Sequence, residues 1–373
     1  MSLSVLAATT AWGQEEEGAL HKVLHGLVMP DKKIGYEAGI TMAGQAATDS
    51  RLDSGIVGSA DLVLTIPGGP GEITAYFEAS STVPGDSVAG LAPEANGDAG
   101  SAVGSNDRGR VQISEFHYTL PVKGNQLVTG LIDLPAFLDT NAVANDENSQ
   151  FLSTTLVHNP TIEFPDYTLG AVLTGPLTPE FGYVLVLTGS HGLADNPERS
   201  YSELFDLNDP DKGIFMAAEL KLSSGPAAWR LGAWQHDADH VALDETVGDK
   251  SNYGIFGGVD FSIGDATLGL RGGQANSDVS EAARFASAAL EYDLGAVCLG
   301  AGLSHTILAN DADTDIRGDM TQVEVYGRIP LAHGFEVTPS LQWIGNSLFD
   351  RSSSQVDADL LVFSLRATFA FGN

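Results

Sequence analysis

Apolar and polar positions alternate with a period of two along most of this chain. The clearest case is the C-terminal run, where Leu361, Phe363, Leu365, Ala367, Phe369 and Phe371 fall on one face and Val362, Ser364, Arg366, Thr368 and Ala370 on the other. Successive side chains of a strand point to opposite faces, so this run predicts a β-strand with one apolar and one largely polar side. Comparable segments, each bounded by Gly, Pro, Asp or Asn, recur at approximately 34–44, 59–67, 71–80, 110–121, 125–135, 166–176, 181–190, 213–223, 227–236, 252–263, 266–275, 284–293, 296–306, 321–331, 334–344 and 359–371. They number about sixteen, the even count that a single-chain barrel requires. No longer repeat accompanies this rhythm, which leaves a propeller or solenoid without support. No stretch of 18 apolar residues occurs to span a bilayer as a helix.

The connections between these segments alternate in length. Gly68-Gly69-Pro70, Lys123-Gly124, Pro179-Glu180, Gly225-Pro226, Gly264-Asp265, Gly295 and Ala332-His333 are tight turns. Between them lie 81–109, 136–165, 191–212, 237–251, 307–320 and 345–358, rich in Asp, Asn, Ser and Gly with few apolar residues. Short turns at one end and long loops at the other are the habit of a transmembrane β-barrel, with the turns periplasmic and the loops outside. Parity then assigns faces. Ile214, Met216, Ala218, Leu220 and Leu222 face lipid while Glu219 and Lys221 point inward. Val323, Val325 and Ile329 face out, with Glu324, Tyr326 and Arg328 inward; Trp229, Leu231 and Ala233 face out, with Arg230, Trp234 and His236 inward. Arg271 and Arg366 also take the inner parity, as expected where a midplane charge on the lipid side costs about 2–4 kcal/mol. Tyr292, Trp343 and Phe371 sit near strand ends on the outer parity, where an aromatic girdle belongs. The segment 110–121 breaks the pattern, because Glu115 shares parity with Val111 and Ile113; a β-bulge would repair it.

Composition narrows the functional classes. The chain has 373 residues, with 18 basic against 49 acidic side chains and a net charge of −31. This excess argues against nucleic-acid binding, which uses Lys and Arg to displace counterions from phosphate. A single cysteine, Cys298, excludes an intramolecular disulfide and thiolate-rich zinc sites. The 43 glycines show no Gly-X-Y period, which excludes collagen. Mean hydropathy is near zero at +0.02, as follows when lipid-facing and lumen-facing residues alternate. The first thirteen residues, with Ala11 and Gly13 as small cleavage-site residues, read as a shortened secretory signal or as an ordinary apolar start; 14–33 then form a periplasmic segment ahead of a barrel over 34–373.

The stretch Phe137-Leu138-Asp139-Thr140-Asn141-Ala142-Val143-Ala144-Asn145-Asp146-Glu147-Asn148-Ser149-Gln150-Phe151-Leu152, followed by Asn159-Pro160, resembles the carbohydrate-selective porin (OprB) family. Further passages resemble the same family in the same order: Ala38-Gly39-Ile40-Thr41 leading into Ser54-Gly55, 213–220, 229–236, Glu324-Val325-Tyr326-Gly327-Arg328 through 338–342, and Leu365-Arg366-Ala367-Thr368-Phe369. The resemblance covers almost the whole chain from about residue 34. It implies an all-β, sixteen-stranded transmembrane antiparallel barrel in the cell outer membrane of a Gram-negative bacterium, passing sugars down their gradient. It also implies an inward loop, for which 136–165 is the natural candidate. Two features depart from the family: Gly372 and Asn373 follow the terminal aromatic, and the charge is extreme for a sugar channel.

A sugar pore needs charged and amide groups that exchange hydrogen bonds with hydroxyls, and aromatic faces for the rings. Arg230, Arg366, Glu219, Glu324 and Arg328 supply charge and Trp234 and Tyr326 supply rings, unless they only rigidify the wall. Asp139, Asn141, Asn145, Asp146, Glu147 and Gln150 line the inward loop in one reading and shape its turns in the other. Asp311-x-Asp313-x-Asp315 imitates a calcium loop but carries Ile316 where glycine is needed, so a solvated outer loop is expected. His236 and His240 stand four apart on a strand, outside the usual ligand spacings, so no metal and no cofactor is expected. Gly68-Gly69-Pro70-Gly71 lacks the ending of a phosphate loop, and no nucleophile with base and orienter is readable, so no enzyme is expected. Expected partners are outer-membrane lipid and lipopolysaccharide and small sugars, with the chain a homotrimer, through small residues around 283–289, or a monomer. A general or cation-preferring porin is the rival within the class; a surface anchor or adhesin is the rival outside it.

Overall fold

The computed structural model describes residues 34–372 except 101, 105, 107, 197, 206–211, 245–249, 310–317 and 348–358. The expected signal over 1–13, the expected periplasmic segment over 14–33 and the calcium-like Asp311 to Ile316 run lie outside the described residues. The strands are β1 Gly35–Ala47, β2 Gly55–Gly68, β3 Gly71–Ser80, β4 Val111–Val122, β5 Asn125–Ile132, β6 Thr168–Pro176, β7 Phe181–Gly189 and β8 Ile214–Ser224, followed by β9 Ala227–His240, β10 Lys250–Ile263, β11 Ala266–Ala275, β12 Ala282–Asp293, β13 Cys298–Leu308, β14 Met320–Ala332, β15 Phe335–Gly345 and β16 Leu360–Gly372. Every strand pairs antiparallel with its neighbours in sequence, and β1 pairs with β16 from Glu37↔Gly372 to Ala47↔Val362, so the sheet closes into a barrel with no free edge. Closure satisfies the ladder on both sides of each strand, which a bilayer demands of backbone that crosses it.

Local chemistry places the turns. Lys123 and Gly124 join β4 to β5 with φ of 50° and 86°. Positive φ at both central residues is what a two-residue hairpin needs to match the strand twist. The parity reading of the faces holds along the strands. Ile214, Met216, Leu220, Trp229, Leu231 and Val325 lie exposed on the outer surface, as do Tyr292, Trp343 and Phe371 near strand ends. Glu219, Arg230, Arg271, Glu324 and Arg366 are buried on the inner one. Arg284, third residue of β12, faces outward, so not every strand arginine takes the inner parity. It lies at the long-loop end, where a charge on the lipid side costs only about 0–1 kcal/mol.

The misfit in 110–121 has a structural cause. Tyr76 pairs with Glu115 while the next residue, Phe77, pairs with Ile113, so Ser114 is an extra residue in β4. The bulge leaves Val111, Ile113 and Phe116 outward and turns Gln112, Ser114, Glu115 and His117 inward. Ser114 Oγ then donates to Glu78 Oε2 at 2.6 Å, which gives the inserted hydroxyl an acceptor on the inner wall.

Leu231 is 65% exposed in mid-strand on the outer surface. Leu231→Arg is expected to destabilise the barrel in lipid by about 2–4 kcal/mol, read by reversible denaturant unfolding from vesicles. The same change at the rim residue Ile214 is expected to cost less.

Candidate functional site

The inside of the barrel is occupied by two of the long connections. The one between β5 and β6, residues 133–167, crosses the lumen and bonds to the inner faces of strands all around it. Asp139 N–H donates to Glu219 Oε2 of β8 at 2.8 Å, and Ala142 N–H to Asp260 Oδ2 of β10 at 3.2 Å. Leu152 and Ser153 N–H donate to the two oxygens of Glu324 on β14 at 3.2 and 2.8 Å. On β16, Arg366 donates to the carbonyls of Glu147 and Gln150 at 2.6 and 2.8 Å, and Thr368 Oγ1 to that of Asn148 at 3.0 Å. Arg271 of β11 donates to the Leu156 carbonyl and pairs with Asp139 at 3.3 Å.

Apolar packing seats the same connection. Its Leu134, Leu138 and Ile162 share a core with Val128, Val172, Val184, Val186, Phe215, Trp234 and Phe256 of the inner wall. Further along, Val143, Ala144, Phe151, Leu156 and Val157 pack on Ala289 and Tyr326. Phe151 meets Tyr326 edge-on, with ring centroids 4.9 Å apart and planes at 80°. The wall also makes room for it. A Cβ on Gly302 of β13 would lie 2.7 Å from Leu156 Cδ1 and 2.9 Å from Phe151 Cε1. Glycine at that position lets the loop approach the strand backbone.

The residues expected to touch solute divide sharply once the loop is in place. Arg366, Glu324, Glu219, Trp234 and Tyr326 are at most 4% exposed and Arg230 is 8% exposed. They lie under the loop rather than along an open lumen: the charged ones hold its backbone or pair with one another, and the rings pack against apolar side chains. Trp234 stacks on Phe215 at 6.0 Å, and the Tyr326 hydroxyl donates to Glu291. Arg230 pairs with Asp260 at 2.7 Å. Only Arg328 remains half-buried, 3.7 Å from Glu291 and donating to the Ser149 carbonyl at 3.2 Å.

The loop residues largely knit the loop itself. Asn141 accepts from Val143 and Ala144 N–H at 3.1 and 2.7 Å and donates to the Ala144 carbonyl. Asn145 Oδ1 accepts from Asn141 N–H at 3.2 Å. Gln150 Oε1 accepts from Asn145 N–H, and its amide donates to the Ala142 carbonyl. Asp146 accepts from Asn148 N–H at 2.9 Å. These are the turn-shaping bonds that Asx side chains make. Glu147 is buried, with its carbonyl bound to Arg366. Asp139 lies in the loop, outside the strands; burial pushes its carboxyl up to about 6, against the pull of Arg271.

Sequence reasoning named one inward connection; the structure contains a second. Residues 81–110, between β3 and β4, carry helical turns at Val88–Leu91 and Pro93–Ala95. Val88, Ala92 and Ala95 are buried against Leu52, Ile344, Leu360 and Val362. The Ala95 carbonyl accepts from Gln45 and Gln342 at 3.0 and 2.9 Å, and Asp98 accepts from Ser59 at 2.8 Å. The two connections also touch, with Gly97 N–H donating to the Leu152 carbonyl at 2.7 Å. The available signal was the apolar run Val88, Ala89, Leu91, Ala92 and Ala95, out of place in a solvated loop. At the opposite, short-turn end, Asp265, Glu291, Asp293 and Glu336 surround Arg328 in a vestibule of about 340 Å³.

Comparison with known proteins agrees with this architecture. A solved structure described as the high-pH structure of Pseudomonas putida OprB superposes with a TM-score of 0.67, covering 91% of this chain and 94% of that one at 14% identity. The fold is that of OprB. A triple mutant of the Rhodopseudomonas blastica porin superposes with a TM-score of 0.54 over 91% of this chain and the whole of that one, at 15% identity. No family model matches the sequence. An uncharacterized protein of Aquifex aeolicus is 41% identical over 76 residues, which is 20% of this chain and 25% of that protein. The likeness to OprB is therefore one of fold.

Proposed function

We propose that the chain is an outer-membrane porin that passes small hydrophilic solutes, sugars among them, by diffusion through a lumen narrowed by two inward connections. The observation that carries this is the closed sixteen-stranded barrel whose inner wall charges are spent on holding loop backbone in place. Solute contact then falls to groups left accessible beside the loops, Lys221 and Arg328 on the wall and the half-buried Asn145, Asp146 and Gln150 on the loop. Several modest contacts of this kind favour passage, since a solute must also be released. The resemblance of 137–152 to carbohydrate-selective porins, together with the likeness to OprB, supports sugars as the solute class. Liposomes carrying the purified protein are expected to swell faster in mono- and disaccharides than in other neutral solutes of the same size. Equal rates for both would remove the sugar preference, and no swelling in either would remove the pore.

A second reading has its own observation. The vestibule at the turn end sets four carboxylates against one arginine, and the whole chain carries −31. A wall of one sign enriches counterions near it, which favours cation passage. A reversal potential in a salt gradient that tracks the cation supports this reading; one near zero removes it.

A further inference from the structure

We propose that Glu163, His236 and His240 form a binding site for a first-row transition-metal ion, zinc by its chemistry, which fastens the outgoing leg of the β5–β6 connection to the barrel wall. Each of the three offers one ligand atom within 4.8 Å of the other two. Both oxygens of Glu163 lie 3.0 Å from His240 Nε2, and Oε1 lies 3.9 Å from His236 Nε2. The imidazoles meet edge-on with centroids 4.8 Å apart. Ligands on a tetrahedral zinc stand about 3.3–3.5 Å apart, given bonds of about 2.0–2.1 Å, so separations of up to 4.8 Å close by side-chain rotation of the half-exposed Glu163 and of the imidazoles. Two imidazoles and a carboxylate suit zinc, with solvent at the remaining position.

The surroundings point the same way. His240 Nδ1 lies 2.7 Å from the Ala238 carbonyl and 3.1 Å from that of Lys250. Carbonyls only accept, so Nδ1 carries the proton, and the Nε2 of a neutral ring turns its lone pair toward a carboxylate. A proton or a metal ion between them resolves that opposition, and a ring N–H held by a backbone carbonyl is the usual support of a metal-bound histidine. His236 differs: its Nε2, 3.9 Å from Glu163 Oε1, also lies 2.8 Å from the Ser190 carbonyl, so it gives up that hydrogen bond to take the ion, and the proton moves to Nδ1, which is buried without a hydrogen-bond partner among the described residues. Asn252 Nδ2 donates to Glu163 Oε2 at 2.6 Å and orients the carboxylate. The expectation of no metal here rested on the strand spacing of the two histidines; the third ligand arrives from the inward connection.

The site stands on these side chains whatever the barrel conducts. Its test is calorimetric titration of zinc into the folded, tag-free barrel, beside the variants E163Q and H240Q, with folding checked by heat-dependent gel mobility. One ion per chain is expected, with affinity lowered at least about tenfold in each variant. Zinc is also expected to slow proteolysis within 136–165 in the wild type alone. No saturable binding, or equal binding by the folded E163Q protein, overturns the site. Binding lost in the variants without protection of 136–165 in the wild type overturns the fastening.

Discussion

Replacing Arg366 by methionine is expected to release the turn at 147–150 from the wall and leave the barrel closed. Arg366 is 1% exposed, and its guanidinium gives two bonds, to the Glu147 and Gln150 carbonyls. Methionine keeps the length of the side chain but offers no donor, so both carbonyls lose their partner. A hydrogen bond to a charged group contributes about 1.5–3 kcal/mol, so loss of the two weakens the loop seat by about 3–6 kcal/mol. The sixteen strand ladders do not depend on these bonds. Single-channel recordings should show a larger mean conductance with frequent transitions between levels, at nearly unchanged barrel content by circular dichroism. A wild-type conductance with quiet open levels would show that Arg366 does not hold the loop.

The second large effect concerns the pair beneath Ala142. Asp260 is buried, pairs with Arg230 at 2.7 Å and accepts the Ala142 N–H at 3.2 Å. Asp260→Ala leaves the Arg230 charge buried without that partner, and breaking a buried pair this way costs about 3–5 kcal/mol. Replacing Arg230 by methionine in the same protein removes the uncompensated charge. The double variant is expected to recover part of the loss, because it no longer buries an unpaired charge, while the Ala142 N–H still lacks the acceptor that Asp260 gave it. Unfolding of the two single variants and the double one gives the coupling directly. Simple additivity would show that the two side chains do not act as a pair.

Both predictions depend on features that differ in how far they could be read from sequence. Alternation in runs such as 361–371 is a local property, so the strands, the short-turn and long-loop ends and the inward parity of Glu219, Arg230, Glu324 and Arg366 were legible. The irregularity at Glu115 announced a bulge, but only the pairing of Tyr76 with Glu115 and of Phe77 with Ile113 places it at Ser114. Parity gives a face and not what covers that face. This is why Trp234 and Tyr326 read as surfaces for sugar rings, whereas the structure packs them under Leu134 to Val157. The second inward connection escaped because its buried run, Val88 to Ala95, sits in short helical turns without strand alternation. Glu163 escaped as a partner of His236 and His240 because nothing local relates a loop end to a strand so distant in sequence.

With residues 81–110 and 133–167 inside the barrel, these two inward connections set its bore. Single-channel recording in planar bilayers with neutral polymers of graded size measures that bore. Polymers small enough to enter the lumen lower the current, and larger ones do not. A low size cut-off is expected for the wild type and a clearly higher one when 139–157 is replaced by a short Gly-Ser linker. An absence of conductance, or a cut-off unmoved by the replacement, would contradict this role of the connections.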